Sequence, residues 1–398
     1  MANNTKKSLK KAGAGLGQYG IMIMLVVVYL LFAVITGGKN LTPMNINNLI
    51  MQNGYVVILA VGMLLCVLTG NVDLGVGSVV ASAGAVAGTL IVDLGWSTPM
   101  AMLGALGIGL LFGLFVGFFV AYMEIPPFIV TLATMLMGRG LCYVILQAQT
   151  KGPLPASYNW IGTGFLPVIR VGEGSLNAGK GVDLICLLIA AVVSVLLILN
   201  EVKSISVAKK NSLPTAPLWQ TIVKNVVLIG VIWFFFWKLA CYNGIPVVLI
   251  LMVLLVAIYH FITTKTVAGR QIYAMGGNAK AARLSGIDTK KVFFWVYANM
   301  GMLAAVAGIV LSARNQSATP KAGDGFEMDA IASCYIGGAA TSGGVGTIIG
   351  AVIGAFIMGI LNNGMSLAGY DTNIQKIVKG LVLLGAVTFD LVSKRKKK

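Results

Sequence analysis

The chain has 398 residues, 58% of them apolar and 10% charged, with a mean hydropathy of +0.90. That balance excludes an ordinary soluble domain and identifies an integral membrane protein. The net charge of +17 comes from 29 basic residues scattered over short loops; membrane topology accounts for it better than nucleic-acid binding, which would gather the charge in one patch with interleaved aromatics.

The opening "MANNTKKSLKKAGAGLGQYG" is basic and leads into an apolar run without a small-residue cleavage site, so the first span is expected to stay on the protein rather than leave as a signal peptide. A spanning helix needs ~20 mostly apolar residues to cross ~30 Å of hydrocarbon. Candidates in chain order are 20–36, 49–69, 75–93, 99–123, 128–147, 184–200, 221–241, 246–263, 292–312, 348–364 and 374–391. That odd number would put the terminal "SKRKKK" across the membrane from Lys6, Lys7, Lys10 and Lys11, against the positive-inside rule. A twelfth crossing is therefore expected at 326–342, "FEMDAIASCYIGGAATS", which is weakly apolar and has to be buried among other helices. Nineteen of the 29 basic residues then fall inside and six outside, so both termini are expected in the cytosol.

The expected fold is an all-α polytopic membrane helix bundle of about 12 transmembrane segments (10 to 12), some broken or re-entrant. Residues 1–19 form a cytosolic N-terminal tail, 20–391 one transmembrane domain, and 392–398 a basic cytosolic tail. Within the domain, 148–183 is an extracytoplasmic loop and 264–291 a cytosolic one.

Two segments read as broken spans, "LTGNVDLGVGS" (68–78) and "IGGAATSGGVG" (336–346). Flexible polar backbone at membrane depth is tolerated only inside protein or beside a water-filled cavity, which points to a translocation path through Asn71, Asp73, Ser78, Gly337, Gly338 and Ser342. The equal alternative is a pair of interfacial turns, with Asp73 as N-cap of the next helix. Gly109, Gly113 and Gly117 recur at four-residue spacing, as do Gly346, Gly350 and Gly354. Small residues four apart suit close helix packing in lipid. Arg139, between glycines in "MGRG", is read first as a structural cation paired with Asp73 or with freed carbonyls, and second as a substrate contact.

The cytosolic "GGNAKAARLSGIDTKK" (276–291) has caps at both ends. Asn278 can cap a short helix, Gly286 suits its C-terminal turn, and Asp288 can cap the span that follows. Compact capping favours a docking helix over a plain basic loop. Catalysis is not expected, because His260 is the only histidine and the acids form no obvious pair. No cofactor and no metal are expected either, and the five cysteines lack ligand spacing. Neither Gly38-Lys39 nor Gly179-Lys180 is followed by Ser or Thr, so the phosphate-binding loop of an ATPase is absent.

"GGNAKAARLSGI" resembles the cytosolic coupling-helix signature in permease subunits of bacterial monosaccharide ABC importers, the ribose and xylose group, more distantly related to branched-chain amino acid permeases. "GNVDLGVGS", "IPPFIVTLATMLMGRGL" and the block 317–366 resemble that family as well, so the likeness runs from about residue 45 to 391. Asn71 stands where the family more often has glycine. Relative to the shorter ribose permeases, roughly 184–241 reads as an insertion of two spans.

The resemblance implies a transport subunit of the bacterial cytoplasmic membrane that works as a homodimer. It also implies a separate ATPase subunit with two nucleotide-binding domains and an extracytoplasmic sugar-binding protein. By matching positions, Gly277, Asn278, Ala281, Ala282, Arg283, Ser285, Gly286 and Ile287 would sit in a cleft of that ATPase. The outer loop, with Tyr158, Trp160, Arg170 and Glu173, would face the binding protein. The competing readings are a self-sufficient ion-coupled carrier, for which the spans hold few charges, an ABC permease for another small polar solute such as a branched-chain amino acid, and a membrane enzyme.

Overall fold

The computed structural model describes residues 20–171, 181–211 and 218–395. Glu173, the Gly179-Lys180 pair and the N-terminal tail lie outside those residues. The chain is helical almost throughout: α1 (Gly20–Ile35), α2 (Pro43–Leu68), α3 (Val76–Val92), α4 (Thr98–Ala121), α5 (Pro127–Leu146) and the short α6 (Ala156–Thr163) come first. They are followed by α7 (Leu184–Lys210), α8 (Leu218–Ala240), α9 (Val247–Lys265), α10 (Val267–Gly277) and α11 (Ala279–Leu284). The last four are α12 (Thr289–Asn315), α13 (Phe326–Ile336), α14 (Ile348–Leu367) and α15 (Thr372–Arg395). Eight of these are long and apolar enough to cross a membrane, and α1 and α3 are shorter apolar helices, so the polytopic all-α bundle is present.

The chain divides into two compact units. The larger comprises 49–164 and 248–398 together with the first 40 residues. Its centre is α12, packed between α3 and α4. The contact with α4 is backbone on backbone. A methyl group on Gly113 would come within 2.6 Å of the Tyr297 carbonyl and 2.8 Å of that of Ala298, and one on Gly117 within 2.7 Å of the Phe294 carbonyl. At Gly109 it would land on Gly301 and Ala305. Lipid offers no hydrophobic drive for two helices to meet, so dispersion contacts between closely approaching backbones must supply it. On α3, Ser82 Oγ donates to the Gly138 carbonyl of α5 at 2.8 Å, satisfying a hydroxyl that has no water at that depth.

α13 differs from the expected twelfth span. It holds 11 residues, about 16 Å of helix, half the thickness of the hydrocarbon. The helix stops because Gly337-Gly338 turns the chain, Gly338 taking φ +86°, a left-handed conformation that costs a side-chain-bearing residue more than glycine. Residues 337–347 continue without helix. α13 packs on α14 through glycine: Gly350 and Gly337 abut, and Gly354 abuts the Ser333 carbonyl.

The smaller unit holds 41–48 and 165–247. It contains α7, α8 and a two-stranded antiparallel pairing of Arg170–Val171 with Val182–Asp183. Asp183 fixes the hairpin by accepting from the Ile169 and Ile185 amides, both at 3.1 Å. Lys224 and Glu201 join α8 to α7 at 2.7 Å.

Candidate functional site

The stretch from Thr266 to Lys291 folds as an elbow. Thr266 Oγ1 caps α10 through the Gly269 amide at 3.3 Å, and Gly269 lies against the Ile262 and Thr263 carbonyls, so α9 and α10 meet in a tight bend. Asn278 Oδ1 then accepts from the Ala281 amide at 3.0 Å, opening α11. Gly286 takes φ +85° after it, and Asp288 Oδ1 accepts from the Lys291 amide at 3.1 Å, opening α12. Sequence reasoning found these three caps and missed α10, whose own marker was Thr266 at its N-cap. Because the amides at the start of α12 bond to it, the Asp288 carboxyl is held below its usual range. Lys290 pairs with Glu124 in the α4–α5 turn at 2.8 Å, and this hydrogen bond lowers the Glu124 carboxyl likewise.

α11 exposes most of its surface. Ala282 is buried, whereas Lys280, Ala281 and Arg283 are exposed, and Leu284 is 91% exposed. Leu284 thus stands almost wholly exposed beside the cations of Lys280 and Arg283.

The inner side of the elbow touches both broken segments. Gly276 lies against the Leu68 carbonyl, and a methyl group there would also come within 2.5 Å of the Gly344 amide. That amide donates to the Leu68 carbonyl at 2.9 Å, tying 337–347 to the end of α2. Tyr273 Oη donates to the Gly346 carbonyl at 2.7 Å. Gly343 abuts Gly70, and Ser342 lies nearby, its carbonyl 3.7 Å from a methyl on Gly70. One joint therefore gathers the end of α10, the turn after α2 and the chain after α13.

The residues singled out for a path divide between places. Asn71 Nδ2 donates to the Thr69 carbonyl at 3.3 Å, beside the joint, and Ser342 is exposed there. Asp73 is buried and is not the cap of α3; it stands two residues before the N-cap, Gly75, and its Oδ1 accepts from the Gly75 amide at 2.8 Å. Ser78 is 1% exposed, its hydroxyl without a protein partner, against Gly138. Arg139 donates to the carbonyls of Pro320 at 3.0 Å and Ala322 at 2.6 Å, so freed carbonyls hold it and Asp73 does not.

Tyr158, placed by sequence on the outer docking face, is fully buried on α6, its hydroxyl 2.8 Å from Ser312 Oγ. Residues two apart on a helix face nearly opposite ways, so with Tyr158 turned inward Trp160 is left 52% exposed. In the smaller unit Arg170 donates to the Tyr242 carbonyl at 3.2 Å. His260 is exposed, the five cysteines are buried and free, and no group of metal-ligating side chains occurs among the described residues.

Sequence reasoning also missed a polar cavity of about 220 Å³ at the Arg314 end of α12. Its wall includes Gln52 and Asn53 of α2, Asn362 of α14 and Gln375 of α15. The readable signal was a run of amides inside two apolar stretches, "NINNLIMQN" and "LNN".

Residues 45–387 match the family described as branched-chain amino acid transport system / permease component. The chain is 38% identical to the xylose transport system permease protein XylH of Escherichia coli K12, over 95% of this chain and 93% of that protein. It is 35% identical to XylH of Haemophilus influenzae, over 97% and 99% of the two chains. It is 34% identical to the ribose import permease protein RbsC of Escherichia coli K12, over 87% and 85%. No solved structure is significantly similar. The relatives are transport proteins matched over nearly their whole length, and the chain belongs to this family of transport permease components.

Proposed function

We propose that the chain is the membrane-spanning permease subunit of an ATP-binding-cassette importer, forming the path for a monosaccharide such as xylose or ribose. The names of its relatives support the sugar, and the elbow supports the coupling. Gly277, Asn278, Ala281, Ala282, Arg283, Ser285, Gly286 and Ile287 form the face that engages a separate ATPase subunit, one chain with two nucleotide-binding domains. The observation that carries this reading is the joint at Gly276, where backbone meets backbone without a compressible side chain. A push on α11 reaches the two broken segments, and with them Asn71, Gly337, Gly338 and Ser342, with little loss. Asp73, Ser78 and Arg139 stand further along the path. The partners on this reading are a second copy of the chain, an extracytoplasmic sugar-binding protein and the ATPase, in a bacterial cytoplasmic membrane.

Two experiments test it. Affinity purification of the tagged chain from its host in mild detergent is expected to recover a protein with two Walker A motifs; a chain that moves sugar alone in liposomes overturns the reading. Arg283→Glu is expected to reduce uptake at least tenfold while leaving the protein inserted, because reversal sets like charges against an acidic rim. Unchanged uptake would remove Arg283 from the coupling face. Uptake of L-leucine in place of a sugar would favour the solute in the family's description.

A further inference from the structure

The polar cavity at the Arg314 end of α12 lies wholly inside the larger unit, between α2, α12, α14 and α15. Its composition is unusual for the interior of a membrane protein. Carboxamides come from three helices, Tyr55 adds a phenol and Arg314 a guanidinium, and Val56 is the one apolar side chain in the wall. Some of these amides are already held. Asn363 Nδ2 donates to Gln52 Oε1 at 3.2 Å, and Gln375 Nε2 donates to Ser366 Oγ at 3.2 Å and to the Tyr370 carbonyl at 3.0 Å. Others are incompletely satisfied. Asn53 is 1% exposed, its Nδ2 donating to the Ala355 carbonyl at 3.0 Å and its Oδ1 buried without a protein partner. Asn362 Oδ1 is in the same state. An unpaired buried acceptor is destabilising, and a ligand hydroxyl would relieve it after a small rotation of either carboxamide.

Charge narrows the ligand class. Lys379, in the wall, is paired with the buried Asp329 at 3.0 Å, which leaves Arg314 as the cation facing a ligand. No carboxylate lines the cavity. An amino acid would bring an ammonium with no anion to meet it and an apolar side chain with almost no apolar wall. A neutral polyol fits both conditions, since each hydroxyl donates and accepts, as each carboxamide does, and a guanidinium can donate to two adjacent hydroxyls. A volume of 220 Å³ is roughly seven waters at ~30 Å³ each, the scale of one sugar ring.

We propose that this cavity is a subsite for a single monosaccharide ring, held by Asn53, Asn362, Gln52 and Gln375 with Arg314, at the end of the unit opposite the α10–α11 elbow. It rests on the sugar-importer reading and adds the place and chemistry of recognition within the permease. The selectivity it confers is for neutral polyols against zwitterions.

The test is calorimetric titration of the purified full chain in nanodiscs, without ATPase or binding protein, using D-xylose, D-ribose and L-leucine as probes. One pentose is expected to bind saturably and L-leucine not at all. Asn362→Leu and Asn53→Leu are expected to weaken that binding roughly tenfold or more, the loss of one buried hydrogen bond, while Gly107→Leu, in open space on α4, leaves it unchanged. Should Asn53→Leu fail to fold, Gln375→Leu on the half-buried rim serves in its place. Absence of pentose binding, equal affinity in the variants, or binding of L-leucine overturns the subsite. Sugar uptake by the assembled transporter with unchanged KM in Asn362→Leu would sink this proposal alone. No sugar uptake by the wild-type assembly would sink the importer reading.

Discussion

Gly276 and Gly277 are neighbours in the sequence, yet a methyl group on the first would collide with the Leu68 carbonyl while one on the second meets nothing within 4 Å. Composition and spacing cannot separate the two, because the difference lies in chain far away, at Leu68 and Gly344. The same limit explains Arg139, whose carbonyl partners at Pro320 and Ala322 no local pattern names. The caps were legible, since Asn278 and Asp288 act on amides three residues ahead. Gly276→Ala is expected to break the Gly344–Leu68 hydrogen bond and to cost about 1–3 kcal/mol, several degrees in apparent Tm in detergent. Gly277→Ala is expected to leave Tm unchanged. Equal Tm for the two variants would mean that the joint is not tight.

At the scale of elements, eleven of the helices lie where hydrophobic length puts them, because twenty apolar residues in lipid have few alternatives to a helix. The exception is instructive. Residues 326–342 contain enough glycine and polar side chain to end the helix at Ile336, and the rest is held by contacts with α2 and α14 that hydropathy does not record. Glycine spacing marked the face of α4 and, through Gly350 and Gly354, that of α14; Gly346, expected on the same face, lies ahead of that helix against Ala339 and Leu64, and Gly301 on α12, which completes the α4 contact against Gly109 and Gly113, stood outside any glycine repeat. Gly113→Leu is expected to force α4 off α12, at a cost of at least ~1–3 kcal/mol for overpacking, with loss of yield and of thermal stability in detergent. Gly107→Leu on the same helix has open space and is expected to behave as wild type. Normal stability in Gly113→Leu would show that the α4–α12 contact carries little of the fold.

For the whole molecule the open question is which side each terminus occupies, and the path of 326–347 bears on it. Phe326 stacks on Tyr55 with ring centroids 4.2 Å apart, Cys334 Sγ contacts the Ala60 carbonyl at 3.5 Å, and the Gly344 amide reaches Leu68. The segment thus descends beside α2 from Tyr55 to Leu68, about 20 Å at 1.5 Å per residue. It starts near the Arg314 end of α12 and finishes at Gly276, by the other end. Half helix and half a run of turns, it still passes from one end of the unit to the other. Counted with α1–α5, α7–α9, α12, α14 and α15, it makes an even number of passes, which would return the C-terminus to the side of the N-terminus. Basic residues on both tails then select the cytosol. A green fluorescent protein fused after Lys398 is accordingly expected to fluoresce. Alkaline phosphatase inserted at Gly369, in the turn between α14 and α15, is expected to be active outside. Active phosphatase at the C-terminus instead would mean that 326–347 re-enters without crossing, and the elbow and the C-terminal tail would then lie on opposite faces of the membrane.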